Sequence, residues 1–301
     1  MKQAIVWGVL KKFMDDKNVH EIIVDRADDI LIAGPSGVKQ GPKFTQAALL
    51  KLAQQLIKCS PDPKAVSAEI VLPGNILVSI VMPPIAPEGP FLRIWKIPDQ
   101  QYSLDDMVKW EAMTQKQKEY LANLIQTNKS ILVAGVAGSG KTTLLITMLH
   151  ALPEEYHLVT IEQYGDLNMK RPRTARLVAP HHQSQEMSGL VDIASRARGD
   201  CLALAYAQGA EILPFIELLR DGHQGMMCMS GENVFDSVKR LEYKISANAP
   251  WMSLEDIRYS ITQAFSHIIF QNRESDGKRK VSHLAKLEYI EGEITINPVK
   301  F

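Results

Sequence analysis

The sequence predicts an α/β protein, with a small α+β unit ahead of a larger unit built on a mostly parallel sheet. Two observations carry this. The first hundred residues mix short strand-like runs with amphipathic helices. From Ser130 onward, apolar runs of about five residues alternate with helical patterns, the signature of parallel strands joined by crossover helices. The 301 residues suit one large domain or two ordinary ones, and 46% hydrophobic content is enough to build cores. With 34 basic and 34 acidic residues the formal net charge is +0, so no global field favours nucleic acid or anionic lipid. Cys59, Cys201 and Cys228 are far apart and lack CxxC spacing, which argues against a disulfide framework or zinc knuckle and suits a reducing cytosol. The apolar run over 4–10 is short for a signal peptide, and no run approaches a membrane span, so a cytoplasmic protein is expected.

The elements follow in order. Val6, Val9, Leu10 and Phe13 recur at helical spacing and predict an amphipathic opening helix. Its bland reading, a core-facing helix, is preferred to a membrane-lying one. Short strands are expected over 21–25 and 30–33, a turn at Gly34-Pro35-Ser36-Gly37, and a helix over 45–58 closed by Pro61 and Pro63. Strands over 76–82 and 91–97 flank a proline-rich loop, 83–90. Residues 1–98 are read as the amino-terminal domain, 99–114 as a linker and 115–301 as the second domain. Ser103 with Asp106, and Thr114 with Gln117, fit capping boxes for two helices. Buried strands are expected over 131–134, 158–161, 201–205, 226–229 and 267–270, and Asp276-Gly277 marks a closing hairpin.

Gly135-Val136-Ala137-Gly138-Ser139-Gly140-Lys141-Thr142 matches GxxxxGK[ST] in full, between a buried strand and an apolar helix. Glycines let backbone N–H groups turn in around phosphate oxygens, and the helix N-terminus adds partial positive charge. Residues 135–143, ending at Thr143, are the candidate nucleotide site. Lys141 is expected to reach the β/γ-phosphates of ATP, and the Thr142 hydroxyl to ligate Mg²⁺.

Further motifs follow: Thr160-Ile161-Glu162; Ser195-Arg196-Ala197-Arg198-Gly199-Asp200 before an apolar run; Glu211; Gly222-His223; and Arg240-Leu241. Pro83-Pro84, Gly89-Pro90 and Leu92-Arg93-Ile94-Trp95-Lys96 lie in the first unit. In this order and spacing the chain resembles the secretion ATPases, the motors of type II and type IV secretion, conjugation and type IV or tight-adherence pili. The resemblance covers roughly 20–290, and the absence of a tetracysteine site favours the conjugation, type IV secretion and tight-adherence branch. It implies an amino-terminal domain and a RecA-like P-loop ATPase domain, ATP and Mg²⁺ bound between them, and a ring, hexameric or mixed with a paralogue. It also implies work at the cytoplasmic side of the inner membrane on secretion or pilus platform proteins.

The chain departs from the pattern in the chemistry. Tyr206 stands where the family has the Walker B glutamate, Gln208 and Gly209 replace an arginine and an aspartate, and Gly231 replaces the second histidine of the His box. Ile76 and Trp95 replace amino-terminal arginines. Tyrosine is a poor water-activating base at neutral pH. The resemblance therefore leaves Glu162 as the catalytic carboxylate, on a strand read as lying beside the P-loop strand, with Asp166 at i+4 assisting, and His223 as a nucleotide sensor. A motor ATPase is the leading reading. A non-hydrolysing, ATP-gated subunit is the alternative. Arg196, Arg198 and Arg240 are read as phosphate- or interface-facing or as ordinary surface charges. His181-His182 lacks a carboxylate at metal-ligand spacing. The basic cluster Lys170-Arg171-Pro172-Arg173 with Arg176 reads as a solvated loop in preference to a DNA contact.

Overall fold

The computed structural model describes residues 5–34, 37–97, 99, 101–180 and 186–301. The turn expected at Pro35-Ser36, the first residue of the apolar run at 4, Pro98 and the His181-His182 pair lie outside the described residues. The chain forms two compact units, 1–99 and 100–301.

The first unit is a six-stranded antiparallel sheet. Its strands are β1 (Glu21–Arg26), β2 (Asp29–Gly34), β3 (Gly37–Gln40), β4 (Ser67–Leu72), β5 (Ile76–Val81) and β6 (Phe91–Lys96), in the order β3-β2-β1-β6-β5-β4. Ile22 and Val24 of β1 alternate with more exposed neighbours and face Leu92 and Ile94 of β6 in register. With Leu49, Leu52, Ala53 and Leu56 of α2 (Gln46–Ile57) they form one core. The Thr45 hydroxyl caps α2 by accepting from the Ala48 N–H at 3.2 Å. The expected opening helix is reduced to a 3₁₀ turn, Gly8–Leu10, and the short α1 (Lys11–Asp15). Only Leu10 is buried there, while Val6 is 66% exposed. A single anchoring side chain does not sustain a longer amphipathic face.

In the second unit α3 (Leu104–Lys109) and α4 (Gln115–Gln126) both begin with complete capping boxes, at Ser103/Asp106 and Thr114/Gln117. Leu104, Met107, Ala112 and Met113 are buried in this unit's core, so the stretch expected to be a linker is packed structure from α3 onward. The sheet has eight strands: β7 (Ile131–Gly135), β8 (Leu158–Glu162), β9 (Thr174–Val178), β10 (Cys201–Leu204), β11 (Gln224–Ser230), β12 (His267–Arg273), β13 (Arg279–Ile290) and β14 (Glu293–Pro298). The order is β14-β13-β12-β7-β11-β10-β8-β9. β9, β8, β10, β11, β7 and β12 pair in parallel; β13 and β14 return antiparallel. The hairpin expected around Asp276-Gly277 is present, between β12 and β13.

Successive residues of the central strands serve opposite faces. Ile131 and Val133 of β7 face one layer with α3, α4 and α5 (Lys141–His150), whereas Leu132 and Ala134 face the other. That second layer holds α6 (Met187–Arg196), α7 (Ile212–Arg220), α8 (Val234–Asn248) and α9 (Leu254–Ala264). Burial on both faces explains why these strands read as continuous apolar runs without alternation. β9 has no such run; it is an edge strand with partly exposed residues, and the sequence did not announce it. Among the described residues no helix is long and apolar enough to cross a membrane.

Phe215 of α7 is completely buried in the second layer. Phe215→Ala should cost about 3–5 kcal/mol, lowering the urea midpoint of the second unit; a loss below about 1 kcal/mol would mean this layer is not its structural core.

Candidate functional site

The parallel strands deliver their carboxyl ends to one edge of the sheet, where open α/β sheets hold ligands. β7 ends at Gly135, β11 at Ser230, β10 at Leu204, β8 at Glu162. β11 runs next to β7, paired from Met226↔Ile131 to Ser230↔Gly135, and β12 flanks the other side, pairing Gln271↔Gly135. Gly135 is demanded by close approach: a Cβ there would lie 2.1 Å from the Gln271 carbonyl oxygen and 2.7 Å from Ser139 Oγ.

The loop 135–140 leads into α5, whose first residues are Lys141, Thr142 and Thr143. The first-turn N–H groups have no intrahelical acceptors. Ser139 is fully buried, yet its Oγ has no hydrogen-bond partner, and the Oε1 of Gln271 is likewise buried without one. The Lys141 ammonium is folded back and donates to the Val136 carbonyl oxygen at 2.8 Å. Burial lowers its pKa. The orphaned Ser139 hydroxyl, the free helix N–H groups and a sheltered cation together fit a phosphate group. Val136 packs partly buried against the core, Ala137 is exposed, and Gly138 follows with a positive φ of 72°. Thr142, half-buried one residue beyond Lys141, stands where a hydroxyl could serve a phosphate-bound Mg²⁺.

Glu162 does not occupy the place expected for it. β8 is not beside β7, because β11 and β10 lie between them. The Glu162 carboxylate is fully buried and its oxygens are taken. It accepts from the Thr160 hydroxyl at 2.6 Å, from the Leu167 N–H at 2.9 Å, and from Arg176 Nε and Nη2 at 3.0 and 3.2 Å. Arg176 also donates to the Gly165 carbonyl at 2.8 Å, so the pair cinches the loop after β8. A carboxylate so saturated holds structure and has no lone pair to offer a water.

The next acid in that loop is differently placed. Just past Asp166, Leu167 and Met169 are buried in the same core cluster as Leu144, Leu145 and Met148 of α5. The Cys228 thiol, 3.7 Å from the Lys141 carbonyl oxygen, feels the charges of both Lys141 and Asp166. Withdrawal from water, and then the neighbouring Glu162 carboxylate, push Asp166 up to about 6. Asp166 is thus the carboxylate of this loop whose proton is held more tightly, and its i+4 spacing from Glu162 was its only sequence signal.

Tyr206 follows β10 at the same edge and donates its hydroxyl to Ser230 Oγ at 3.2 Å. Gly231 is closely packed: a Cβ would fall 2.1 Å from Ser237 Oγ and 2.9 Å from Ser237 Cα, so a histidine cannot be accommodated without moving α8. His223 is not brought to this edge. It precedes β11, at the opposite end of that strand, roughly 20 Å away at about 3.3 Å per residue, and its Nδ1 pairs with the Gly199 carbonyl oxygen at 3.0 Å. A strand that starts at residue 224 and ends at 230 forces this separation. Arg196, Arg198 and Asp200 share the remote edge, where Asp200 accepts from the His157 N–H at 2.7 Å. Arg240 forms surface ion pairs with Asp236 and Glu232. Arg171 donates to the carbonyls of Tyr156 and Pro153, and Arg176, itself exposed, is ion-paired with the buried Glu162, so these two members of the basic cluster are committed to their own fold. In the first unit, Arg93 is ion-paired with Glu21, Trp95 lies opposite Leu77, and Ile76 opens β5. Among the described residues no group of three His, Cys, Asp or Glu side chains could hold a metal ion.

The comparisons with known proteins bear on the family and the fold. The family model described as type II/IV secretion system protein matches residues 58–272. A putative conjugal transfer protein of Mycobacterium tuberculosis is 20% identical over 304 residues, covering 95% of this chain and 86% of that one. The type IV secretion system protein VirB11 of Bartonella henselae is 23% identical over 326 residues, covering 91% and 90%. The crystal structure of the pilus retraction motor PilT with bound ADP is similar with a TM-score of 0.63 at 14% identity, covering 98% and 84%. The fold is therefore the expected one, a small α+β domain followed by a RecA-like domain, and the chain belongs to the type II/IV secretion system protein family.

Proposed function

We propose that this chain is an ATP-binding, ATP-hydrolysing motor subunit of a type IV secretion, conjugation or pilus-assembly machine. It would act in a homomeric or paralogue-mixed ring at the cytoplasmic face of the inner membrane, against platform proteins of that machine. The observation that carries the reading is the phosphate loop: a fully buried Ser139 hydroxyl without a partner, beside Lys141 and the free N–H groups of α5. Gly138, Ser139 and Gly140 would present N–H donors to the phosphates, and Lys141 would exchange the Val136 carbonyl for a phosphate oxygen. The Thr142 hydroxyl would ligate Mg²⁺, which supplies charge neutralisation of the transferred phosphoryl group. Asp166 positions the attacking water, while Glu162, locked to Arg176, holds the loop that carries it.

One observation favours a second reading, an ATP-gated subunit that does not hydrolyse. Tyr206 spends its hydroxyl on Ser230 and Gly231 has no room for an imidazole, so two positions at this edge supply neither carboxylate nor base. Steady-state turnover of Mg·ATP by the assembled protein decides between the two. Tight ATP binding with no turnover above buffer establishes the gated reading.

Two outcomes are expected if the protein is a motor. Lys141→Ala should weaken ATP binding at least about tenfold, the loss of a charge-assisted contact worth on the order of 2 kcal/mol. Equal affinity in a calorimetric titration would remove the site assignment.

Asp166→Asn should lower kcat about a hundredfold, within the range for a positioned base, with KM little changed. In the wild type, kcat should fall as pH drops through about 6, because the raised Asp166 pKa leaves it protonated below that value. An Asp166→Asn variant with normal turnover, or a wild-type profile flat between pH 5 and 8, would exclude Asp166 from the reaction.

A further inference from the structure

The β12–β13 hairpin brings two arginines to the rim of the phosphate loop. Arg273 Nη1 lies 3.7 Å from the point where a Cβ would stand on Gly138, and Arg279 Cδ and Nε lie 3.0 and 3.8 Å from the corresponding point on Gly140. The two face each other directly across the ladder, Arg273↔Arg279. Like charges opposite one another in a sheet are destabilising unless something of opposite sign stands near.

The hairpin's own acids do not supply it. Glu274 pairs with Lys280 at 3.0 Å, Lys278 pairs with Glu111 at 3.0 Å, and Asp276 accepts from the Lys278 N–H at 2.9 Å within the turn. Neither arginine forms a salt bridge among the described residues. Gln271, which leads into Arg273 on β12, is the residue whose buried Oε1 lacks a partner, and its Nε2 lies 3.3 Å from the Gly140 position. Two uncommitted guanidiniums therefore converge on the helix N-terminus of α5, Arg273 from β12 and Arg279 from β13, on one side of β7. A guanidinium presents several donors in a planar fork suited to phosphate oxygens.

We propose that Arg273 and Arg279 grip the phosphate chain of the nucleotide held by residues 135–142, as a cationic clamp supplied by the same subunit. This rests on the reading of 135–142 as a phosphate loop. The clamp places positive charge on the side of β7 away from Tyr206, in a chain whose amino-terminal unit carries Ile76 and Trp95 where the family resemblance led us to expect arginines.

The test compares the full-length wild type with Arg273→Ala, Arg279→Ala, the double variant, the double lysine variant and Lys141→Ala. Each is titrated calorimetrically with Mg·ATP and, separately, with inorganic tripolyphosphate. Each single alanine variant should bind both probes about tenfold more weakly, corresponding to one charge-assisted contact, and the double variant more weakly still. The lysine variant should recover only part of the affinity, because a point charge lacks the fork. Both arginines are exposed, so the alanine variants should fold, and without ligand their melting temperature should equal or exceed that of the wild type. A double alanine variant that binds ATP like the wild type, while Lys141→Ala does not, overturns the clamp and leaves the phosphate loop standing. Weakened ATP binding with unchanged tripolyphosphate binding also overturns it, since the contact would then be to the nucleoside. Undiminished binding by Lys141→Ala would instead remove the underlying site.

Discussion

The parallel register that sets β7 between β11 and β12 is the constraint on which the rest of the site depends. It brings the Gln271 carbonyl so close to Gly135 that no side chain fits there, and it fixes where the loop 135–140 leaves the sheet. The same register sets Ser230 beside Gly135, and hence Tyr206 within reach of Ser230. Helix α5 follows from that exit point, because its N-terminus is the end of the loop. Moving the ladder by one residue would exchange the faces of every strand residue and carry the loop out of alignment with α5.

The two acids after β8 illustrate how a fold divides labour between like groups. Glu162 is deeper, and the protein compensates its charge with a bidentate arginine, a hydroxyl and a backbone N–H. Removing Arg176 alone would leave a buried charge uncompensated, which is far costlier than never having formed the pair. Asp166 lacks that set of partners and sits in the field of Glu162, so its proton is held more tightly. Pairs of carboxylates whose environments push their affinities for protons apart are a recurrent way of separating a structural from a chemical role.

The substitutions at 206 and 231 are consistent with one another physically. A small residue at 231 lets α8 approach, with Ser237 against the chain just after β11, and the tyrosine then anchors the same corner through Ser230. This corner is tied together by hydroxyl contacts and packing.

How much of this was legible in the chain order depended on whether the information was local. The glycine-loop spacing, the capping residues at Ser103 and Thr114, and the apolar runs of β7, β8, β10, β11 and β12 are short-range patterns, and each became the predicted element with ends shifted by up to three residues. The phosphate loop is wholly local, which is why it could be read without a structure. Strand order is not local. Nothing in the residues near Glu162 says that two strands separate it from β7, nor that Arg176 on an edge strand without an apolar run would claim its oxygens. His223 adjoins a strand whose far end, not its near end, reaches the site, and only the direction of β11 reveals that. Arg273 and Arg279 lie well over a hundred residues from the glycines they approach. The sequence by itself therefore determined the strand–loop–helix unit and its fit for phosphate. The tertiary structure decided which charges surround it, because electrostatic neighbours are set by sheet order and burial, neither of which is written in local spacing.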